Sequence, residues 1–166
     1  MESSKTDAII SIIRQEFDSE IVHIEQPYQL LTITFKPERI IDIIQFLYSH
    51  SELQFQFLTT LCGIHYPDQN QIAVMYQLHN LKTNQRIRLK IFLSADQPQV
   101  PTLTGIFSAA NWMERETYDF FGVTFTGHPN LKRILNVEDM IFFPLRKEFP
   151  LEDQTREDKN DALFGR

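Results

Sequence analysis

The chain has 166 residues, 42% of them apolar, which fits one domain with an ordinary buried core. Its net charge is −6 and its basic residues are scattered, so the electrostatic footprint of a nucleic-acid binder is missing. One cysteine excludes an internal disulfide and a cysteine-ligated iron–sulfur cluster held by this chain alone. The 5 glycines form no G-x-G-x-x-G or P-loop pattern, so no bound cofactor is expected in this chain. No apolar run is long enough to cross a bilayer, and Met1 to Ser11 lacks the basic start and apolar stretch of a signal peptide, so a soluble, cytosolic chain is expected.

Ile9, Ile12, Ile13 and Phe17 recur at helical spacing and predict an amphipathic first helix. Ile21 to Glu25 and Leu30 to Phe35 read as two strands joined by the turn Gln26-Pro27-Tyr28-Gln29. Pro37 opens a second helical run through Ile40, Ile41, Ile43, Ile44 and Leu47, because a first helical turn tolerates the missing N–H of proline. Phe55, Phe57, Thr59 and Leu61 alternate with Gln54, Gln56, Leu58 and Thr60, and are expected on the more apolar face of a strand. Ile72, Val74, Tyr76 and Leu78 form the same kind of row in the next strand. In Arg86 to Ile91 every second side chain is basic and the others are aliphatic, so one face is buried and the other is read as solvated.

This order, helix, two strands, helix, three strands, has too few helices for a doubly wound sheet and predicts an α+β two-layer sandwich with a mixed sheet over residues 1–100. A third helix is expected to start at Thr102 or Thr104, either of which can cap it, and to stop near Gly122, giving a segment 101–122 on or beside the core. Residues 123–166 are read as an extended C-terminal segment. Its part from Glu152 to Asp161 carries seven charges without apolar periodicity and is expected to be disordered or laid across a partner.

In a helix, Trp112, Arg115, Glu116 and Asp119 share one side, and Arg115 can bridge to Asp119 four residues on. Glu114 and Asp119 could also serve as the acid and base of a hydrolase. No apolar surroundings that would separate their proton affinities are evident, and no nucleophile with a base is at hand. Trp112, Tyr118, Phe120 and Phe121 make the set too aromatic for a purely wet helix, and mixed arginine and aromatics are typical of interface anchors. Gly127-His128-Pro129 reads as a turn with a hydrogen-bonding histidine. No histidine pair has the spacing of a helical metal site.

Three blocks in order carry a resemblance: Asn111-Trp112-Met113-Glu114-Arg115-Glu116, followed by Asp119 and Gly122; Phe125-Thr126-Gly127-His128-Pro129, followed by Leu131 and Arg133-Ile134-Leu135; and Pro144 to Leu151. Together they resemble the signature of the thirty-kilodalton family of respiratory complex I, the C-type subunits of the NADH:quinone oxidoreductase. The chain departs from that pattern at Glu148, where aspartate is usual, at Ile141-Phe142-Phe143, where a more polar approach is usual, and at His65, where an acidic residue is usual.

The resemblance implies an α+β fold and a non-redox scaffold and assembly subunit of the peripheral arm. It would pack against the quinone-site subunit and the cluster-bearing subunits on the cytoplasmic face of the inner membrane, with iron–sulfur clusters, flavin and quinone held by those partners. The residues expected at partner interfaces are Trp112, Glu114, Arg115, Glu116 and Asp119 of the helix and Gly127, His128 and Pro129 of the turn, with Arg133, Arg146 and Lys147 beyond it. Arg146, between Pro144 and Pro150, is the foremost of the three cations because a stiff segment loses less freedom on docking. The rival readings are a homologous subunit of a membrane-bound hydrogenase or related quinone oxidoreductase and, more remotely, a free-standing carboxylate-dependent enzyme.

Overall fold

The structure is a computed structural model and describes residues 2–149. Helix α1 spans Glu2–Phe17 and buries Ile9, Ile13 and Phe17, one residue per helical turn. Strands β1 (Ile21–Glu25) and β2 (Leu31–Phe35) form an antiparallel pair. Pro37–Arg39 makes a single 3-10 turn before α2 (Ile40–Ser49), whose Ile40, Ile43, Ile44 and Leu47 are completely buried. Strands β3 (Phe57–Tyr66), β4 (Gln71–Asn80) and β5 (Gln85–Ser94) then form a meander.

The five strands lie in the order β1-β2-β5-β4-β3, and β2 with β5 is the parallel pair that makes the sheet mixed. This is the expected α+β order of elements. Cross-strand register puts Leu61, Tyr76, Leu89 and Ile33 in one row and Gly63, Val74 and Ile91 in the next, on the face against which the helices pack. Each fully buried aliphatic side chain there contributes about 1.5–3 kcal/mol relative to an exposed one. Phe17 of α1 meets Phe46 of α2 edge to face, with ring centroids 5.4 Å apart, which joins the two helices side by side.

Three expectations need correction. The apolar row of β3 is not Phe57 with Leu61: Phe57 is 47% exposed and Leu58 is buried, because the register shifts between Leu58 and Thr60 and a bulge reverses the alternation. Helix α3 begins at Ala110, not at Thr102 or Thr104; it covers Ala110–Phe121 and stops at Gly122, whose φ of 76° is left-handed. The preceding residues instead form β6 (Gln99–Pro101), which pairs in parallel with β7 (Thr124–Thr126) and so clamps both ends of α3. Lastly, the alternate residues of β5 are not simply wet, since Arg88 and Lys90 are half-buried.

Helix α3 packs on β3 at the sheet margin. Gly63 permits this approach: a Cβ there would lie 2.7 Å from the Phe121 ring and 3.2 Å from Thr117. No helix among the described residues is long and apolar enough to cross a membrane. Residues 150–166, and with them the charged stretch expected to dock on a partner, lie outside the described residues.

Candidate functional site: a polar clasp between helix α3 and the following arm

Helix α3 buries two carboxylates, Glu114 and Asp119, both completely. Ionised carboxylates are rarely found so deep unless each lone pair is used. Asp119 uses all of its capacity. Its Oδ2 accepts the backbone N–H groups of Ile134, Leu135 and Asn136 at 3.0, 2.8 and 2.9 Å, and its Oδ1 accepts Arg133 Nη1 at 2.7 Å and Asn136 Nδ2 at 3.0 Å. Burial alone would raise its pKa, but the Asn136 N–H, the Arg133 guanidinium, the Leu135 N–H and the Asn136 amide together hold it well below the usual carboxylate range.

Arg133 is the other half of this clasp. Its Nη1 also donates to the Asp119 carbonyl at 2.8 Å, while Nη2 donates to the carbonyls of Met140 and Phe142 at 2.7 and 2.9 Å. One guanidinium thereby ties the helix to two turns of the segment from His128 to Phe149, here called the arm. The Phe143 ring lies under both Arg133 and Arg146, at 5.1 and 5.0 Å, and Arg146 Nε donates to the Phe121 carbonyl at 2.8 Å. The Leu145 N–H donates to the Phe120 carbonyl at 3.2 Å. The last carbonyls of α3, left open by the helix itself, are therefore closed by the arm.

Arg115 does not bridge to Asp119. Its Nε and Nη2 donate to the carbonyls of Lys132 and Arg133 at 3.1 and 3.2 Å, and its guanidinium lies 5.3 Å from the Trp112 ring centre. Asp119 is already saturated by the chain that folds over it, and a partner from outside the helix displaces the expected partner within it.

Glu114 faces the other way, toward β6. Oε1 accepts the Leu103 N–H at 2.6 Å and Oε2 accepts the Thr102 hydroxyl at 2.5 Å. Burial pushes its pKa up to about 6, against the pull of Thr102 and Leu103. Thr102 thus anchors a glutamate and Thr104, and does not cap a helix. The His128 side chain is buried 4.0 Å from Glu114; its Nδ1 accepts the Asn130 N–H at 3.0 Å, so the neutral ring carries its proton on Nε2, toward the Asn111 carbonyl at 3.2 Å. Tyr76, completely buried, has a hydroxyl without a hydrogen-bond partner among the described residues, and its pKa is pushed far above the ordinary value by burial and by Glu114.

His65 and Glu148, two positions at which the chain departs from the motif pattern, meet in space. His65 Nδ1 accepts the Lys147 N–H at 2.9 Å and lies 3.4 Å from Glu148 Oε2, pinning the end of the arm to the end of β3.

The structure therefore divides the expected interface residues. Glu114, Asp119, His128 and the Arg133 side chain are internal, and Arg115 and Arg146 are half-buried fasteners. Trp112, Glu116, Gly127, Pro129 and Lys147 are exposed. Sequence reasoning missed Thr102 as a ligand of Glu114, Asn136, and the three consecutive N–H groups that grip Asp119. Backbone donors carry no residue-type signal, and only the nearby Asn136 amide could have hinted at that turn. Among the described residues no group of three or more His, Cys, Asp or Glu is placed to hold a metal.

Residues 33–155 match the family described as "Respiratory-chain NADH dehydrogenase, 30 Kd subunit". The chain belongs to that family. It is 39% identical over 140 residues to the second C-type subunit of the NADH-quinone oxidoreductase of Rhizobium etli (strain CIAT 652), covering 84% of this chain and 74% of that protein. It is 46% identical over 122 residues to the C-type subunit of the NADH-quinone oxidoreductase of Roseiflexus sp. (strain RS-1), covering 73% and 70%. Among solved structures, the trypsin-resistant fragment of Nqo5 superposes with a TM-score of 0.63 at 26% identity, covering 74% of this chain and 98% of that one. A chain of the membrane-bound sulfane sulfur reductase, an archaeal respiratory membrane complex, superposes with a TM-score of 0.77 at 22% identity over 93% and 97%, a likeness of fold. Members of this thirty-kilodalton family are thus subunits of a larger oxidoreductase complex.

Proposed function

We propose that this chain is a non-redox scaffold subunit of a proton-translocating NADH:quinone oxidoreductase, and that the arm held by the clasp is its docking surface. It holds the quinone-site subunit beside the cluster-bearing subunits of the peripheral arm, on the cytoplasmic side of the membrane. The iron–sulfur clusters, flavin and quinone belong to those partners, and no bond chemistry is assigned to this chain.

The observation that carries the proposal is the division of labour within the arm. Its two arginines, Arg133 and Arg146, are hydrogen-bonded inside the chain, while several of its apolar side chains are exposed: Leu135 is 66% exposed, Val137 64% and Ile141 96%. Phe142 and Leu145 are exposed beside them, and Trp112 stands out from α3. So many exposed apolar side chains on one well-fastened segment fit a surface that something covers. Both carboxylates of α3 are enclosed and hydrogen-bonded within the chain, which favours the structural reading over an acid–base one.

The test is a double substitution, Val137→Asp with Ile141→Asp, in tagged chain purified with mild detergent from cells lacking the natural copy. Partner subunits and NADH:quinone activity are expected to disappear from the eluate while the variant chain keeps its folded circular dichroism. Full partner recovery with normal activity overturns the proposal.

A further inference from the structure

The sheet has a second face that the helices do not use. Across β5, β4 and β3 the register lines up Arg88 with Gln77, Lys90 with Met75 and Cys62, and Phe92 with Ala73 and Ile64. Arg86 continues the basic row on β5, and Tyr66 closes the far corner. Met75, Cys62 and Ile64 are half-buried and form an apolar strip beside that row. Glu25, on the outer strand β1, is the sole carboxylate among the described strand residues of this face, in a chain whose net charge is −6.

The two inner cations are prepared differently. Lys90 is fixed: its Nζ donates to Tyr66 Oη at 3.0 Å and lies 5.0 and 4.9 Å from the centres of the Tyr66 and Phe92 rings. At Arg88 the Nε is buried and has no hydrogen-bond partner among the described residues. Leaving a buried N–H of a cation unpaired is costly, whereas a carboxylate takes a guanidinium through two parallel hydrogen bonds. An oriented lysine, an arginine with an unused donor and an adjoining apolar strip make a surface matched to one kind of ligand.

We propose that this open face of the sheet is a second docking surface, and that it receives a surface of another subunit which presents carboxylates to Arg88 and Lys90 and an apolar side chain to the strip at Met75. The inference rests on the chain's place in a larger complex and not on the docking of the arm, which leaves from a different side. The face then works as the polar half of a two-sided wedge: the arm supplies apolar area, and the sheet supplies charge register that selects one partner orientation.

Cys62, the sole cysteine of the chain, stands on the edge strand β3 of this face, in register with Met75 and Lys90, and reports on its cover. The experiment measures maleimide labelling of Cys62 in the full-length chain alone and in the purified complex, at the same alkaline pH. Labelling is expected to slow on the order of tenfold or more in the complex. The reversal Arg88→Glu with Lys90→Glu is expected to weaken assembly by about tenfold or more while the free chain stays folded. Equal labelling in the free chain and the complex overturns the proposal. So does faster labelling of the free chain after deletion of residues 150–166 without further protection in the complex, because the chain's own acidic terminus would then be the occupant. Protection of Cys62 in a complex that still forms with the Val137→Asp and Ile141→Asp chain would support this face while removing the arm from the proposed function.

Discussion

The body of the sheet and the arm are built by opposite means. Between α1, α2 and the sheet, stability comes from rows of Ile, Leu and Phe with almost no polar atoms among them. Between α3 and the arm it comes from one aspartate, one arginine and a set of backbone groups, with Phe143 as the main apolar contribution. An apolar core tolerates exchange among side chains of similar volume, because dispersion and burial have little directional preference. A clasp of directed hydrogen bonds tolerates almost nothing, but it leaves the apolar residues of the arm free to face outward. The difference teaches why a segment so rich in charge can present an outer surface that is apolar.

The most severe way to break that contrast is Asp119→Ala. It leaves the buried Arg133 cation and three N–H groups without their acceptor, a loss of about 3–5 kcal/mol. Urea unfolding of the isolated chain is expected to show it, together with new protease cleavage between residues 127 and 149. A loss below about 1 kcal/mol with unchanged cleavage would mean that the arm is held by something other than the clasp. Next in size is Gly122→Ala. A Cβ there has to fit a left-handed backbone and lies 2.5 Å from the Phe143 ring, so about 1–3 kcal/mol is expected, against almost none for Gly105→Ala, where nothing lies within 4 Å. Equal costs at the two glycines would show that the ring gives way without resistance.

How much of this was legible in advance follows the same division. The order of elements could be read, because Ile40, Ile43, Ile44 and Leu47, or Ile72, Val74, Tyr76 and Leu78, repeat at the period of the element they build. The phase of β3 could not, since the bulge at Leu58 is a property of its pairing with β4 and leaves no mark in composition. The signature residues could be recognised as a group, but their partners could not. Arg115 and Asp119 have ideal helical spacing for a bridge, and that local prior fails because Arg133, fourteen residues on, brings a guanidinium with two carbonyl anchors of its own. Long-range polar partners of this kind have no periodicity to betray them.

A pH titration sharpens the comparison further, because the two buried carboxylates of α3 have opposite slopes. Glu114 has its folded pKa raised to about 6, so its contribution is fully present below the unfolded value near 4.5 and is lost as pH rises through about 6, a change of about 2 kcal/mol. Asp119 is depressed, so its contribution is present above the ordinary aspartate value near 3.8 and is lost as pH falls below it. Unfolding of the isolated chain followed from pH 3 to 8 is expected to show a maximum between the two windows. In Glu114→Gln the fall on the alkaline side is expected to vanish, since the amide can still accept from Leu103 and face Thr102. Persistence of that slope in the variant assigns it to another group.

The smallest expected effect is at the boundary between the two regions. Tyr76 projects from the apolar core toward Glu114, and its hydroxyl is enclosed without a partner among the described residues. Replacing it by Phe removes an unsatisfied polar atom and keeps the ring that fills the core, so Tyr76→Phe is expected to be neutral or to stabilise by about 1 kcal/mol, contrary to the usual sign for a buried tyrosine. Thermal unfolding decides the matter. If the variant loses about 1 kcal/mol or more, the hydroxyl holds a hydrogen bond in the folded chain. The polar clasp would then extend under the helix into the sheet, and the division between the two regions would lie one layer deeper than the side-chain contacts place it.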